Sequence, residues 1–161
     1  MRSFSAVQLA TLVALIGSLL AAFVPAFVRN LHASRWAEPL DGLGHIAARA
    51  TALASGLPPE LAYPETVGRT PAHVPAGKRV SDPEGTWSHP TWRLLDFQQD
   101  QPHFFSFDFE SAHDASSAQF TARAVGDLDG DGELSEFSIV GEVRGGAEPF
   151  VYPVRLHREV E

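Results

Sequence analysis

The chain has 161 residues, a formal net charge of −8, 44% hydrophobic residues and no cysteine. This length accommodates one domain with an apolar segment beside it. The acidic balance excludes a nucleic-acid partner, which needs basic surface to neutralise phosphates, and the missing cysteines exclude disulfides and thiolate metal sites.

In chain order, the first element is Phe4 to Val28, FSAVQLATLVALIGSLLAAFVPAFV, with Arg2 before it and Arg29 after it. No charge interrupts it, and its polar side chains are Ser5, Gln8, Thr11 and Ser18. As a helix at about 1.5 Å per residue, Ala6 to Val28 spans roughly 35 Å, enough for a hydrocarbon core of about 30 Å. A cleaved signal peptide, with Val24-Pro25-Ala26 as a loose processing site, is one reading. A retained single-pass anchor is the other, favoured by the length of the run and by the helical character that follows it. Arg29 and Arg35 oppose the positive-inside bias for an orientation with the N-terminus inside.

The helix is expected to continue to about Ser55. Leu40, Leu43, Ile46, Ala47, Ala50 and Leu53 recur at three- and four-residue steps as one apolar stripe. Pro39 should bend or interrupt the helix, Gly42 and Gly44 soften it, and Ser55-Gly56 before Pro58-Pro59 marks its end. Residues 57–86, rich in Pro, Gly and Thr, form a connecting loop. Trp87 and Trp92 close a hydrophobic core in one reading and form a sugar platform in the other, the core being favoured. His103 to Phe109 alternates as a strand with one buried side. Gln119 to Val125 and Glu136 to Val143 are further strands. Pro149 to Leu156 gives a short last one, at an edge because Pro153 cannot donate to a ladder. The expected fold class is α+β: a long N-terminal helix, anchor plus amphipathic half, packed on a small antiparallel β-sheet.

Asp127-Leu-Asp129-Gly-Asp131-Gly132-Glu133-Leu-Ser135-Glu136 is the strongest local motif. Carboxylates at alternating positions, with glycine at the sharp turns, suit an oxygen-ligand Ca²⁺ loop. Asp127, Asp129 and Asp131 would supply side-chain oxygens, Glu133 its carbonyl, Ser135 a water-mediated contact and Glu136 a substitute acid. An EF-hand is rejected, because its twelfth position is Ser138 and strands, not helices, flank the loop. The alternative is a metal-free acidic turn, although three crowded carboxylates repel unless something neutralises them. The histidines, at 32, 45, 73, 89, 103, 113 and 157, lack the i, i+4 spacing of a zinc protease and read as scattered surface or hydrogen-bonded side chains. No GxSxG elbow appears. The reading is not an enzyme.

Phe4-Ser5-Ala6-Val7-Gln8-Leu9, followed by Ala14, Gly17, Ala21-Ala22, Pro25 and Phe27, resembles the N-terminus of type IV pilins and type II secretion pseudopilins. Trp87, Trp92, Phe97, Pro102-His103-Phe104, Phe120-Thr-Ala-Arg-Ala and the Gly126 to Gly132 run look like globular domains of pilin-like proteins from deltaproteobacteria. The resemblance implies a short leader at 1–3 cut by prepilin peptidase between Ser3 and Phe4, and a membrane and filament-core helix at 4–28, kinked at its proline. It further implies an amphipathic continuation at 29–56 and a β-sheet head at 57–161 that includes the 57–86 loop. The expected partners are other pilin or pseudopilin subunits and the inner membrane, with the C-terminal domain in the periplasm and then in an extracytoplasmic filament or at the cell surface. The family has Gly where Ser3 stands and Glu where Gln8 stands, departures that point to a minor subunit. The rival is a membrane-anchored or secreted calcium-binding module that remains monomeric.

Overall fold

The computed structural model describes residues 6–158. The leader and the Ser3–Phe4 bond lie outside them. The chain divides into two compact units, Met1–Ala37 and Glu38–Glu161.

The helix α1, Ala6–Ala54, contributes to both units and continues through Pro25 and Pro39 without a break. In the first unit, Val7–Pro25 is a 19-residue helical span long and apolar enough to cross a membrane, and none of it is buried. Thr11 donates its hydroxyl to the Val7 carbonyl and Ser18 to that of Ala14, each at 2.9 Å. Both hydroxyls are thereby satisfied within the helix, as an apolar surrounding requires.

The second unit begins with the last turns of α1. Pro39, Leu43, Ile46, Ala47, Ala50 and Ala54 are buried, at steps of three and four. The expected stripe is thus slightly rotated: Leu40 is 42% exposed, and Pro39, Gly42 and Ala54 take the inner positions. Gly42 shows why. A Cβ there would lie 2.6 Å from the Phe107 ring, so only glycine lets this turn approach the sheet so closely. The helix ends at Gly56, whose φ of 78° is the left-handed cap glycine supplies readily.

Six antiparallel strands follow: β1 Val67–Thr70, β2 Phe105–His113, β3 Ser117–Gly126, β4 Ser135–Arg144, β5 Phe150–Val151 and β6 Arg155–Arg158. Their order is β1-β2-β3-β4-β5, with β6 also paired to β4. The architecture is α+β, as expected. The expected last strand is two short pieces, β5 and β6, separated around Pro153. β1 and the short helix α2, Pro90–Leu94, fall where no regular element is expected.

Phe105, Phe107 and Phe109 are fully buried on one face of β2. The opposite face is not solvated as expected. Ser106 and Asp108 are also buried, and on this face Arg123 of β3 donates across to Asp108 at 3.0 Å and Glu110 at 2.7 Å. Gly141 receives Phe120 in the same manner as Gly42 receives Phe107. Trp87 and Phe97 meet Phe107, and Trp92 meets both Trp87 and Phe97, in edge-on and tilted contacts with centroids 5.0–6.4 Å apart. Trp92 is fully buried and Trp87 is 9% exposed, so the tryptophan pair belongs to the core.

The segment before β2 is fastened by polar contacts. Glu38 of α1 accepts the backbone N–H groups of Phe104 and Phe105 on one carboxylate oxygen, at 2.7 and 3.0 Å. Val80 and His103 exchange two backbone hydrogen bonds of 3.0 Å. His103 Nδ1 lies 2.8 Å from the Phe105 carbonyl oxygen and Nε2 2.9 Å from Asp82 Oδ2, which also accepts Trp87 Nε1–H at 2.7 Å. Both ring nitrogens of His103 are thus engaged, one by a backbone carbonyl and the other by a carboxylate. The two side chains are only 1% and 5% exposed.

Candidate metal centre

The β3–β4 connection carries the acidic motif. Asp127 is buried directly after β3, whereas Asp129 and Asp131 are exposed. One carboxylate oxygen from each of the three lies within 4.8 Å of the other two. Oxygens held about 2.3–2.6 Å from one ion can be no more than about 5 Å apart, so this set could hold a metal ion. The carboxylates of Glu133 and Glu136 are not part of the convergent set. Ser135 is buried at the start of β4, in register with Gly126. Glu136 is half-buried in β4, close enough to Asp108 to oppose ionisation there. Burial is the larger cause that pushes the Asp108 carboxyl up, with Arg123 and Arg69 acting against it.

The turn organises itself through its own carboxylates. Asp127 accepts the backbone N–H of Gly130 through Oδ1 (2.7 Å) and that of Gly132 through Oδ2 (3.2 Å). Asp129 accepts from Asp131 at 3.2 Å and Asp131 from Glu133 at 2.7 Å. This succession of Asx turns is why aspartate, short enough to reach its own backbone two or three residues on, recurs here. Gly130 and Gly132 have φ of 84° and 91°, which aspartate or alanine adopts only with strain.

A second segment supports the turn. Gly77 N–H donates to the Asp127 carbonyl at 2.9 Å, and Ala76 and Asp127 form a parallel bridge. A Cβ on Gly77, itself at φ 62°, would lie 3.0 Å from the Asp129 carbonyl oxygen. Sequence reading takes residues 57–86 as a featureless connection and misses this support; Gly77 within Pro-Ala-Gly-Lys carries no signal that separates it from any other loop glycine.

The histidines lie apart. His45 contacts the Asp96 carbonyl at 2.8 Å, His89 accepts the Thr91 N–H at the start of α2, and His157 meets Ser138 Oγ at 2.7 Å. His103 is committed to Asp82. Gln8 is exposed in the apolar part of α1. Comparison with family models, with curated proteins and with solved structures returns no match for this chain.

Proposed function

We propose that the chain is a pilin-like, minor structural subunit of a type IV pilus or type II secretion pseudopilus, anchored by α1 before it assembles through the same helix. The observation that carries this reading is the apolar span Val7–Pro25, unburied throughout and internally satisfied at Thr11 and Ser18. The resemblance from Phe4 onward and the α+β head support it. In this reading prepilin peptidase cuts between Ser3 and Phe4, the head faces the periplasm, and the neighbours in the filament are other pilin or pseudopilin subunits. The protein then acts as a structural part, not as an enzyme.

The test is the mature N-terminus of the membrane-bound protein. A start at Phe4 is expected. A start at Phe27, with the product in the soluble fraction, would mean ordinary signal-peptide removal and would overturn the proposal.

Gln8 sets the copy number. A charge within the apolar part of a bilayer is costly, up to roughly 2.5–3.5 kcal/mol at its centre on insertion scales, so the family's acid is worth retaining where a neighbour's amine pairs with it. Glutamine fits a place in which no such partner is offered, such as a filament tip. Purified filaments should therefore contain few copies by quantitative mass spectrometry, and bulk abundance would refute the minor role.

We propose Ca²⁺ as the ion of the β3–β4 turn, a reading supported by the convergence of Asp127, Asp129 and Asp131 on a site that could hold a metal ion. Calcium takes 6–8 oxygen ligands, and the Glu133 carbonyl and water would complete the shell around these three hard carboxylates. A monomeric calcium-binding module would share this site, and the mature N-terminus distinguishes it from a filament subunit.

A further inference from the structure

A cleft of about 430 Å³ opens beside Trp87, between the 82–88 loop and the stretch from Arg93 to Asp100. Its volume falls in the range of ~300–1,000 Å³ typical of ligand sites. Apart from the indole, the side chains that define its chemistry are polar: Asp82, Glu84, Arg93, Gln98 and Asp100. We propose that this cleft is a binding site for a neutral saccharide.

The argument starts from the buried carboxylate at the cleft wall. Asp82 is 95% buried at its side chain by the 5% exposure given above, and its Oδ2 is fixed by His103 Nε2 and Trp87 Nε1–H. These two contacts hold the wall rigid. Across the cleft, Gln98 Nε2 donates to Asp100 Oδ1 at 2.8 Å, so an amide and a carboxylate are already oriented by each other. The Gln98 carbonyl oxygen accepts, the second Asp100 oxygen accepts, and Arg93 donates through a planar fork.

The two remaining acceptor oxygens and the Arg93 guanidinium suit the several hydroxyls of a sugar ring, each of which can donate and accept. Other ligand classes fit less well. An apolar peptide or lipid would find little beyond Trp87 and Pro83. A phosphate would meet Glu84 and Asp100 beside the single guanidinium. A cation would need converging carboxylates, and among the described residues the set that converges is that of Asp127, Asp129 and Asp131, elsewhere in the fold. Asp82, Glu84 and Asp100 against Arg93 leave an acidic cleft, which favours a neutral sugar over a uronic or sialic acid.

The test uses the full chain in a phosphocholine detergent, which brings no sugar headgroup, with chelator present so that the acidic turn plays no part. Neutral oligosaccharides (maltotriose, cellotriose, N-acetylated chitotriose and galactobiose) are titrated in the millimolar range while tryptophan fluorescence is followed. At least one should give a saturable change, because Trp87 lines the cleft. Gln98→Ala with Asp100→Ala should weaken that binding about tenfold or more, the equivalent of one charge-assisted hydrogen bond, while the melting temperature stays unchanged because both side chains stand at the surface. Asp129→Ala should leave binding intact. No response from any of the four sugars, undiminished binding by the double variant, or binding confined to acidic sugars would overturn the proposal. None of these results bears on whether the mature chain begins at Phe4.

Discussion

His103→Ala should cost the second compact unit about 3–5 kcal/mol, the loss expected when the partner of a buried carboxylate is removed and the carboxylate stays behind. His103 and Asp82 are 1% and 5% exposed at their side chains, so water cannot replace the lost partner. Asp82 would retain the Trp87 N–H as its remaining hydrogen-bond donor. The change also reaches the backbone. His103 exchanges hydrogen bonds with Val80, and Arg79 next to it donates to the Pro102 carbonyl at 3.0 Å and lies over the Phe104 ring. Loosening this seam frees the 79–82 segment from the start of β2. For a domain with total stability of about 5–15 kcal/mol, the melting temperature should fall on the order of 10–20 °C. Asp82→Ala with His103→Ala should be less destabilised than the sum of the two single variants, since neither then leaves a stranded charge. A single His103→Ala variant that melts within a few degrees of the unmodified chain would show that the pair contributes little.

The parts of this fold legible in the sequence are those governed by periodicity. Alternation locates β2, β3 and β4 because each runs across a core whose two sides differ, and Gly56 announces the end of α1 because a left-handed cap excludes most side chains. β1 escapes because Val67–Thr70 is too short to alternate; its ends are buried and its middle exposed. α2 escapes for a different reason. Pro90 reads as a breaker, yet at the first turn of a helix a proline gives up only a donor that has no partner there, and His89 caps the turn. The inner face of α1 is displaced from the apolar count because Gly42, with no side chain to score, is the point of closest approach to Phe107. The acidic turn was legible as a unit, since the spacing of Asp127, Asp129 and Asp131 is itself the signal. Its support at Gly77 was not, nor was the partnership of Asp82 with His103, because pairs 50 and 21 residues apart leave no local pattern.

Calcium should raise the melting temperature of the chain by several degrees over the value in chelator, and Asp129→Ala with Asp131→Ala should abolish the difference. The physical reason lies in the balance within the β3–β4 turn. Without an ion, backbone N–H groups already engage all three carboxylates, which gives the turn its shape. Hydrogen bonds from neutral amides do not remove charge, however, and three carboxylate oxygens within 4.8 Å repel one another. Asp127 is buried and its carbonyl is tied to Gly77, so relaxation falls mainly to the exposed Asp129 and Asp131. A divalent cation converts the same proximity into ligation. Sites outside the cell function at dissociation constants of about 10⁻⁴–10⁻³ M, and an ion at 100 times its dissociation constant stabilises the folded state by roughly 2.7 kcal/mol. Because the turn joins β3 to β4, whose ten-residue strands pair along their whole length, the gain should appear in the cooperative melting of the sheet rather than in local ordering alone. Magnesium, smaller and bound in near-ideal octahedral geometry at about 2.0–2.1 Å, should stabilise less at equal concentration. Asp127→Ala removes the acceptor for both Gly130 and Gly132 and should destabilise the chain even in chelator, which separates the shaping of the turn from ligation. Equal melting temperatures in calcium and chelator for the unmodified chain would leave Asp127, Asp129 and Asp131 as the acceptors of an acidic turn and nothing more.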